Sequence, residues 1–552
     1  MTATANAPRL RVDGLRVDAG DRTLVRRVDL ELRSGERAGL IGESGSGKSL
    51  TALAVMGLLG EDLSATGDVR LAGVPGNLLT TKESELARLR GARMSMVFQE
   101  PLSALNPLMR VGDQIAEVFR IHRTRPDRRS ARAAAVELLD AVRLPDPAQA
   151  ARAYPHQLSG GQRQRVMIAM ALANDPDILI CDEPTSALDV TVQAQILDLV
   201  SMATAERDTG LLFITHDLAV VATLCDRVLV MREGEIVETG AVRDVFSAPR
   251  HPYTKALLEA SELGGTTPPT SSEARPDQAP VIAASGLTKV YRRPRTSLRA
   301  PRPEVRALHD VGLEIAPGRR FGIVGESGSG KSTLVRLIAG LDQPTDGSLT
   351  FSGRSIVGLP ESRLRFLREE LQMVFQDPMG SLDPRMRVRD IIAEPLVALG
   401  HSGIDDRVTE LLSAVGLPSD AGGRYPHQFS GGQRQRISIA RALAPRPSVL
   451  VADEPVSALD APIRAQILGL LAHLVETYDL TLVLVSHDLT VIRHVCDTVA
   501  VLRQGRIVEQ GPTAQVYAEP THPYTRRLLA AVPTVAKALA GVTASGLASG
   551  QT

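Results

Sequence analysis

The sequence predicts two tandem α/β units, each a sheet of strands joined by crossover helices. The first observation is a repeat within the 552-residue chain: YPHQLSGGQRQR (Tyr154–Arg165) returns as YPHQFSGGQRQR (Tyr425–Arg436), 425 − 154 = 271 residues later. The second is the alternation of apolar runs typical of strands with stretches typical of helices. The third is that apolar runs end at glycine-rich or acidic residues, at the sheet edge where ligands bind.

The repeat extends over most of the chain. The same spacing of 271 residues separates DEP (Asp182, Asp453), SALD (Ser186, Ser457), HDL (His216, His487) and HPYT (His251, His522). A glycine-rich loop recurs after 325 − 42 = 283 residues, so length changes fall before and after this loop and not in the later core. The segment 264–280 is rich in Pro, Ser, Thr and Gly, which predicts a flexible linker. We therefore expect one domain in 1–262, a linker in 263–280, a second domain in 281–534 and a low-complexity tail in 535–552.

The elements of the first unit are predicted from local patterns. Alternating apolar residues in Arg27–Leu32 predict a strand, and the apolar run Arg37–Ile41 predicts a buried strand that ends at the first glycine-rich loop. A helix is predicted from Lys48 onward, through KSLTALAVMGLL. The later predicted elements are helix Val166–Ala173, strand Asp177–Cys181, helix Val192–Met202 and strand Leu211–Thr215.

The composition excludes several classes of protein. Lys+Arg and Asp+Glu both number 63 and 43% of residues are hydrophobic, which excludes a disordered chain, a collagen-like chain and a strongly basic nucleic-acid binder. Nine Phe, seven Tyr and no Trp argue against a stacking platform for single-stranded nucleic acid. Three cysteines without paired spacing give no disulfide framework and no zinc or iron–sulfur pattern. The N-terminal residues lack an apolar signal core and no apolar run reaches ~18 residues, so we expect no signal peptide and no membrane span.

A GxxxxGKS pattern follows a predicted strand and precedes a predicted helix in both units. Glycines let backbone N–H groups turn toward a phosphate, and the helix N-terminus adds positive potential. The candidate phosphate-binding residues are Gly42, Glu43, Ser44, Gly45, Ser46, Gly47, Lys48 and Ser49, and Gly325, Glu326, Ser327, Gly328, Ser329, Gly330, Lys331, Ser332 and Thr333. A chance glycine turn is the alternative, but both loops use Lys in a chain with only six lysines among 63 basic residues. A compact ammonium fits between phosphate oxygens, where a planar guanidinium does not.

Two apolar strands end in adjacent carboxylates. ILICDE ends at Asp182 and Glu183, and VLVADE ends at Asp453 and Glu454. We expect the aspartates to hold Mg²⁺ and the glutamates to orient and deprotonate an attacking water. A solvated acidic loop is the alternative, and the recurrence of the pair after the same loop in both units disfavours it.

A third motif, SGGQRQR, places a hydroxyl and two glycine N–H groups at the start of a helix. Alone it is equally well explained as a helix N-cap. Together with the preceding motifs it resembles the signature of ATP-binding cassettes of ABC transporters, and this resemblance covers nearly all of the chain outside the linker and the tail. It implies two P-loop NTPase cassettes, each with a RecA-like α/β core, an antiparallel β region and a helical subdomain (about 110–153 and 388–424).

The resemblance implies further site residues and a composite arrangement. Gln99 and Gln376 match the Q-loop, Asp189 and Asp460 the D-loop, and His216 and His487 the switch histidine. The signature residues are Ser159, Gly160, Gly161 and Gln162, and Ser430, Gly431, Gly432 and Gln433. The Mg²⁺ ligands implied are Ser49, Gln99 and Asp182, and Ser332, Gln376 and Asp453. Two cassettes of this family stack head to tail, so the Lys48 loop would share ATP with the second signature and the Lys331 loop with the first.

One position breaks the symmetry between the two expected ATP sites. The family stacks adenine on an aromatic residue upstream of the phosphate loop, and Tyr291 matches that position in the second unit. The equivalent residue in the first unit is Ala19, with no aromatic residue before Phe98. We expect the Lys48 site to hold adenine through apolar contacts or Arg22, and to bind nucleotide more weakly.

The HPYT segments, His251–Ala260 and His522–Ala531, are similar to the C-terminal segments of peptide and nickel importers, although they could be no more than proline-stopped turns. The chain thus resembles a fused dipeptide/oligopeptide/nickel-type importer ATPase pair of the glutathione-importer kind. This resemblance implies ATP-driven uptake of peptides or related small solutes through two separate permeases and an extracytoplasmic solute-binding protein, at the cytoplasmic face of the inner membrane. The iron–sulfur cysteine cluster of many relatives is not matched, and Cys181, Cys225 and Cys496 are expected in the core.

Two other classes of function remain open. One is a soluble tandem-cassette ATPase that acts on ribosomes or DNA, which the short, slightly acidic linker and zero net charge disfavour. The other is a purely structural nucleotide-binding module, which the two intact Glu and His residues disfavour.

Overall fold

The computed structural model describes residues 7–185, 188–261, 279–292, 304–457 and 459–540. Almost all of the predicted linker, 263–280, and most of the predicted tail, 535–552, lie outside these described residues. Strands and helices alternate along both halves of the chain, which confirms the predicted α/β class.

The strands of the first half are β1 (Leu10–Ala19), β2 (Arg22–Leu32), β3 (Arg37–Ile41), β4 (Ser64–Leu71), β5 (Met94–Val97), β6 (Ile178–Asp182), β7 (Gly210–Ile214), β8 (Arg227–Arg232) and β9 (Glu235–Ala241). Its α-helices are α1 (Lys48–Met56), α2 (Glu83–Leu89), α3 (Pro101–Ala104), α4 (Val111–Ile121), α5 (Arg128–Ala141), α6 (Pro147–Ala150), α7 (Gly160–Leu172), α8 (Val190–Arg207), α9 (Leu218–Leu224), α10 (Val242–Ser247) and α11 (Pro252–Ser261).

The strands of the second half are β10 (Ile282–Arg292), β11 (Glu304–Ile315), β12 (Arg320–Val324), β13 (Asp346–Phe351), β14 (Arg354–Ser355), β15 (Leu371–Val374), β16 (Val449–Asp453), β17 (Thr481–Ser486), β18 (Thr498–Arg503) and β19 (Arg506–Pro512). Its α-helices are α12 (Lys331–Ile338), α13 (Arg365–Glu370), α14 (Pro378–Ser381), α15 (Val388–Leu399), α16 (Ile404–Ala414), α17 (Gly431–Leu443), α18 (Ala461–Thr477), α19 (Leu489–Val495), α20 (Thr513–Ala518) and α21 (Pro523–Ala531).

Each half combines a mostly parallel sheet with an antiparallel one. In the second half the order β15-β16-β17-β12-β18-β19 is parallel apart from the β18–β19 hairpin, and β11-β10-β13-β14 is antiparallel. The first half has the same two parts, joined by one pairing between Arg27 and Glu235 into the nine-stranded order β4-β1-β2-β9-β8-β3-β7-β6-β5. Parallel strands require crossover connections, and the phosphate loops and acidic pairs lie at the carboxyl ends of β3, β6, β12 and β16.

The predicted elements exist, with some shifted boundaries. The strand at Arg37–Ile41 is as predicted, and β2 begins five residues earlier than the predicted strand. Helix α1 ends at Met56 because Gly57 adopts φ 63°, a left-handed C-cap, so the predicted continuation through Leu59 is wrong. The helix predicted from Val166 instead begins at Gly160, because the side chain of Ser159 caps it.

The register of the antiparallel sheets aligns the two halves residue by residue. Ala19 pairs with Arg22 in β2, and Tyr291 pairs with Val305 in β11, where 305 − 22 = 283. Ala19 and Tyr291 therefore occupy equivalent positions at the ends of β1 and β10. Their separation is 291 − 19 = 272, so the second half has 283 − 272 = 11 extra residues between these strands, within 293–303, which the structure does not describe.

The two halves pack on each other through helices that follow their sheets. Helix α11 of the first half packs against α18 of the second, and α21 of the second half packs against α8 of the first. Val190, the first residue of α8, belongs to the apolar core of the second half, and Val535 belongs to that of the first. All three cysteines are buried, as predicted. Among the described residues, the helices are all too short or too polar to span a bilayer.

Candidate functional site: two phosphate loops and their acidic partners

The first phosphate loop connects β3 to α1 and lies against the β8–β9 hairpin. Gly42 has φ 156°, and a Cβ atom there would lie 2.1 Å from the carbonyl oxygen of Met231, so the close backbone approach requires glycine. The ammonium of Lys48 is buried and donates to the carbonyl oxygens of Gly42 and Glu43, both at 2.8 Å. Burial lowers the pKa of Lys48, and the charges of Glu183 and Asp182 oppose that effect.

The second loop repeats this geometry. Gly325 has φ 159°, and a Cβ atom would lie 2.2 Å from the carbonyl oxygen of Leu502. The ammonium of Lys331 donates to the carbonyl oxygens of Gly325 and Glu326 at 2.7 and 3.1 Å. Both lysines are thus fixed at a helix N-terminus, beside backbone N–H groups that can bind a phosphate.

A three-residue cluster surrounds the first candidate base. The carboxylate of Glu183 accepts from Nε2 of Gln99 at 3.1 Å and lies 3.2 Å from Nδ1 of His216. Burial alone would raise the pKa of Glu183, but the hydrogen bond and charge of His216 outweigh it, so the pKa is lowered. The side chain is therefore an ionised, hydrogen-bonded carboxylate next to the lysine.

The second cluster has the same members and nearly the same distances. Glu454 accepts from Nε2 of Gln376 at 3.0 Å and lies 3.1 Å from Nδ1 of His487. Both glutamates have φ 46°, in the left-handed region that non-glycine residues rarely adopt. Such backbone strain costs about 1–3 kcal/mol and is typical of functional sites. Each glutamate, Q-loop glutamine and histidine that the sequence predicted is thus brought together.

The aspartates that precede these glutamates differ between the two halves. The hydroxyl of Ser49 donates to Oδ1 of Asp182 at 3.1 Å, which places two oxygen ligands side by side at the first loop. Hydroxyl and carboxylate oxygens are ligands that Mg²⁺ prefers, so these residues fit the ion. Burial raises the pKa of both aspartates, and the hydrogen bond from Ser49 opposes this effect at Asp182. In the second half, burial and the charge of Glu454 raise the pKa of Asp453 to about 6. Among the described residues, no group of three or more His, Cys, Asp or Glu side chains could hold a metal ion.

The D-loop aspartate of each half contacts the phosphate loop of the other half. Oδ2 of Asp460 accepts from the backbone N–H of Ser44 in the first phosphate loop at 3.0 Å. Oδ2 of Asp189 accepts from the N–H of Ser327 in the second loop at 3.4 Å. In each aspartate the other carboxylate oxygen caps the helix that follows it. The Lys48 loop therefore faces the second half, and the Lys331 loop faces the first.

One cross-contact has no counterpart. The hydroxyl of Thr191 lies 2.7 Å from Oε1 of Glu326 and 2.7 Å from Oδ1 of Asp189, and it can donate its one hydrogen to either carboxylate. Thr191 therefore adds a second contact between α8 and the second loop. The residue equivalent to Thr191, at 191 + 271 = 462, is Pro462, which has no side-chain donor. Among the described residues, the Lys331 loop therefore has one side-chain contact with the opposite half that the Lys48 loop lacks.

The signature serines cap their own helices. Oγ of Ser159 accepts from the N–H of Gln162 at 3.3 Å, and Oγ of Ser430 accepts from the N–H of Gln433 at 3.4 Å. A Cβ atom on Gly161 would lie 2.6 Å from Cγ1 of Val192, so this glycine allows α7 to pack closely on α8. In the part of the chain that the structure describes, no hydrogen bond or ion pair joins either signature to the opposite phosphate loop.

Comparison with known proteins agrees with this geometry. Residues 25–186 and 308–457 each match the ABC transporter family. The chain belongs to this family. It is an ATPase built from two ABC cassettes, and the matched segments contain the phosphate loops, Q-loops, signatures and acidic pairs described above.

Relatives of this ABC ATPase match almost its whole length. The oligopeptide transport ATP-binding protein OppD of Mycobacterium tuberculosis (strain ATCC 25618 / H37Rv) is 44% identical, over 94% of this chain and 96% of that protein. The glutathione import ATP-binding protein GsiA of Escherichia coli (strain K12) is 45% identical, over 92% of this chain and 86% of that protein. A solved dimeric ATP-binding cassette with bound ADP and Pi is 32% identical and covers 42% of this chain and 98% of its own, with a TM-score of 0.38.

The HPYT segments of this ABC ATPase match a second family. Residues 237–279 and 508–548 match the C-terminal region of oligopeptide/dipeptide transporters, which confirms the predicted resemblance of these segments. Nδ1 of His251 accepts from the N–H of Tyr253 at 3.2 Å, and Glu238 accepts from the N–H of His251 at 3.1 Å. The HPYT segment therefore begins a helix and is held by hydrogen bonds. The simpler interpretation as a proline-stopped turn does not account for this helix.

Sequence reasoning missed one contact in this region. The hydroxyl of Tyr253 accepts from the backbone N–H of Glu43, and that of Tyr524 accepts from the N–H of Glu326, at 2.9 and 3.2 Å. The contacts join residues 253 − 43 = 210 and 524 − 326 = 198 positions apart. The only signal for them in the sequence is the exact repetition of HPYT.

The candidate adenine position of this ABC ATPase holds different residues in the two halves. The ring of Tyr291 is 37% exposed, with its hydroxyl donating to Asp342 at 2.9 Å and the ammonium of Lys289 5.0 Å from the ring centre. Ala19 holds the equivalent position in the first half, and Arg22 opposite it is exposed. One half thus presents a fixed aromatic face, and the other does not.

Proposed function

We propose that this chain is the ATP-hydrolysing subunit of an importer for peptides or related small solutes, peripheral to the cytoplasmic face of the inner membrane. It would act through two integral-membrane permeases and an extracytoplasmic solute-binding protein. The observation that carries the proposal is the duplicated cluster of Glu, Gln and His beside each phosphate loop, in a chain whose full-length relatives are named as oligopeptide and glutathione import proteins.

Each half supplies residues to both proposed ATP sites. Lys48 and Lys331 would bind the β- and γ-phosphates, with the N–H groups of their loops. Contacts of Asp460 and Asp189 with the opposite loops support an intramolecular pseudo-dimer, in which the Lys48 loop faces the signature at Ser430. Two cassettes in one chain need no second copy to complete a site.

Hydrolysis would use the two glutamates as bases. Glu183 and Glu454 are ionised and can each take a proton from a water that attacks the γ-phosphate. His216 and His487 hold those carboxylates and would sense the γ-phosphate, and Gln99 and Gln376 would transmit the state of the site to a permease.

Mg²⁺ fits the oxygen ligands at the first loop and would be held there by Ser49, Asp182 and Gln99. Ser332, Asp453 and Gln376 would hold it at the second loop. The ion would neutralise charge on the β- and γ-phosphates. Tyr291 would stack on adenine at the second site, and Ala19 and Arg22 would line the weaker first one.

The transport proposal is tested by purification of the full chain from detergent-solubilised membranes of its own cells. We expect two integral-membrane proteins to co-purify, and ATP hydrolysis in proteoliposomes to rise when the solute-binding protein and its peptide are added. Peptides recovered from that binding protein would define the substrate class. Co-sedimentation with ribosomes or stimulation by RNA, without permeases, would contradict transport and favour a soluble tandem-cassette ATPase.

A further inference from the structure

The two HPYT tyrosines reach the first peptide of the phosphate loops. Tyr253 is 6% exposed, and its hydroxyl accepts from the N–H of Glu43, the residue after the first glycine of the loop. Tyr524 is 3% exposed and makes the same contact with Glu326. The contact occurs twice in one molecule, so it is a property of the cassette rather than of one local environment.

Each tyrosine is itself held firmly in place. The guanidinium of Arg232 lies 5.1 Å from the ring centre of Tyr253, and Arg503 lies 4.9 Å from that of Tyr524. Burial raises the pKa of Tyr253 to about 12, so its hydroxyl stays protonated and neutral. Arg232 belongs to the hairpin whose Gly234 donates to the carbonyl oxygen of Ser46 at 2.9 Å. The hydroxyl of Tyr253 and the N–H of Gly234 thus both bind backbone groups of the first phosphate loop.

The next amide in each loop is bound by the opposite half of the chain. The N–H of Ser44 binds Asp460, and the N–H of Ser327 binds Asp189. Consecutive N–H groups are thus bound by a tyrosine from the same half and an aspartate from the other. Their orientation is set by both contacts together.

The helix that carries each tyrosine packs on the helix that the aspartate caps. Helix α11, which contains Tyr253, packs against α18, which begins directly after Asp460. Helix α21, which contains Tyr524, packs against α8, which begins directly after Asp189. The first helix carries the tyrosine, the tyrosine binds the phosphate loop, and the loop binds the aspartate. The aspartate caps the second helix, which packs against the first, so the contacts form a closed ring.

We propose that Tyr253 and Tyr524 are positioning residues of the two ATP sites, which make the shape of each phosphate loop depend on how the C-terminal helix packs against the opposite cassette. This inference rests on the proposed function in one respect, since it takes both loops as ATP sites. The tyrosines are not expected to touch the nucleotide.

Substitution of either tyrosine by phenylalanine removes the hydroxyl alone. The ring, its packing and its contact with arginine remain, whereas the N–H of the glutamate loses its buried partner. The loop then samples other arrangements, and only the native one binds phosphate. If the native arrangement falls to about a tenth of the population, the apparent Kd for ATP rises ~10-fold.

The test uses the full chain with Tyr253→Phe and Tyr524→Phe, made separately. Tyr478→Phe is the matched control, because its hydroxyl contacts Glu410 in the helical region at 3.4 Å and neither phosphate loop. Hydrogen exchange is measured by mass spectrometry on peptides that cover residues 42–49 and 325–332, without nucleotide. ATP binding is titrated in the hydrolysis-deficient Glu183→Gln/Glu454→Gln background, and thermal melts monitor folding.

The expected result is specific to one loop. Tyr253→Phe accelerates exchange in 42–49 and weakens one of two ATP sites ~10-fold, with 325–332 and the melting temperature as in the control. Tyr524→Phe accelerates exchange in 325–332 and weakens the other ATP site ~10-fold, with 42–49 and the melting temperature as in the control.

Unchanged exchange and ATP affinity in both variants would overturn the proposal, as would equal acceleration at both loops with a lowered melting temperature. If one variant fails to fold, the other decides, because its contact lies in the other cassette. Absence of ATP binding by the unsubstituted chain would contradict the proposed function instead, while the exchange measured without nucleotide still tests the tyrosines.

Discussion

Replacement of one catalytic glutamate by glutamine tests whether the two sites act together. In Glu183→Gln the side chain keeps its size and the backbone keeps its φ of 46°, so the substitution removes charge and basicity without changing the strain. Both carboxylate oxygens are used, one facing His216 and the other accepting from Gln99. An amide offers one acceptor oxygen and one NH2 donor, so one of the two contacts must exchange its donor and acceptor.

The expected magnitude follows from the role of the base. A positioned general base contributes about 10²–10⁴ to the rate, which corresponds to about 3–5 kcal/mol of barrier at ~1.4 kcal/mol per factor of ten. Two independent sites would leave each single variant with half of the activity. Because Asp460 and Asp189 each bind the loop of the opposite cassette, we expect the sites to be coupled and each single variant to retain less than about a tenth of wild-type turnover.

Steady-state ATP hydrolysis by the purified chain measures this, for Glu183→Gln, Glu454→Gln and the double variant. ATP binding by each variant is measured in parallel, and retained affinity shows that the fold and the loops are intact. Turnover near wild type in either single variant would refute the equivalence of the two bases. Half-activity in both would refute the coupling.

Two further predictions concern adenine binding and packing. Tyr291→Ala should weaken ATP binding at one site about tenfold, because stacking of a base on an aromatic ring contributes about 1–3 kcal/mol. Ala19→Tyr should strengthen ATP binding at the other site. ATP titration of each variant checks both predictions, and equal affinity of the two wild-type sites for ATP would contradict them. Gly39→Ala in β3 should destabilise the first cassette by about 1–3 kcal/mol, because the new Cβ would lie 2.6 Å from Cγ1 of Val221. Thermal unfolding measures this effect, and an unchanged melting temperature would contradict the prediction.

Much of the fold and of the site follows from local sequence. The strand that leads into Gly42 and the strand that ends at Asp182 are apolar runs, and their carboxyl ends meet at one sheet edge, so the loop, the acidic pair and the histidine were expected to lie together. Each motif also occurs twice in the same order, which an accidental match does not explain.

The remaining features depend on contacts that no local pattern encodes. The start of α7 at Gly160 depends on capping by Ser159 and Gln162, which outweighs the low helix propensity of two glycines. The contact of Tyr253 with Glu43 depends on how α11 folds back onto the β8–β9 hairpin, and neither residue type predicts it. Tertiary packing, rather than propensity, determines these features.

The central claim is that two ATP sites form within one chain, and nucleotide stoichiometry tests it most directly. The measurement is the number of ATP molecules bound by the Glu183→Gln/Glu454→Gln chain at saturation, together with its mass in solution by light scattering. We predict two ATP per chain, with the chain still monomeric. One ATP per chain, or two chains joined when ATP binds, would contradict the claim.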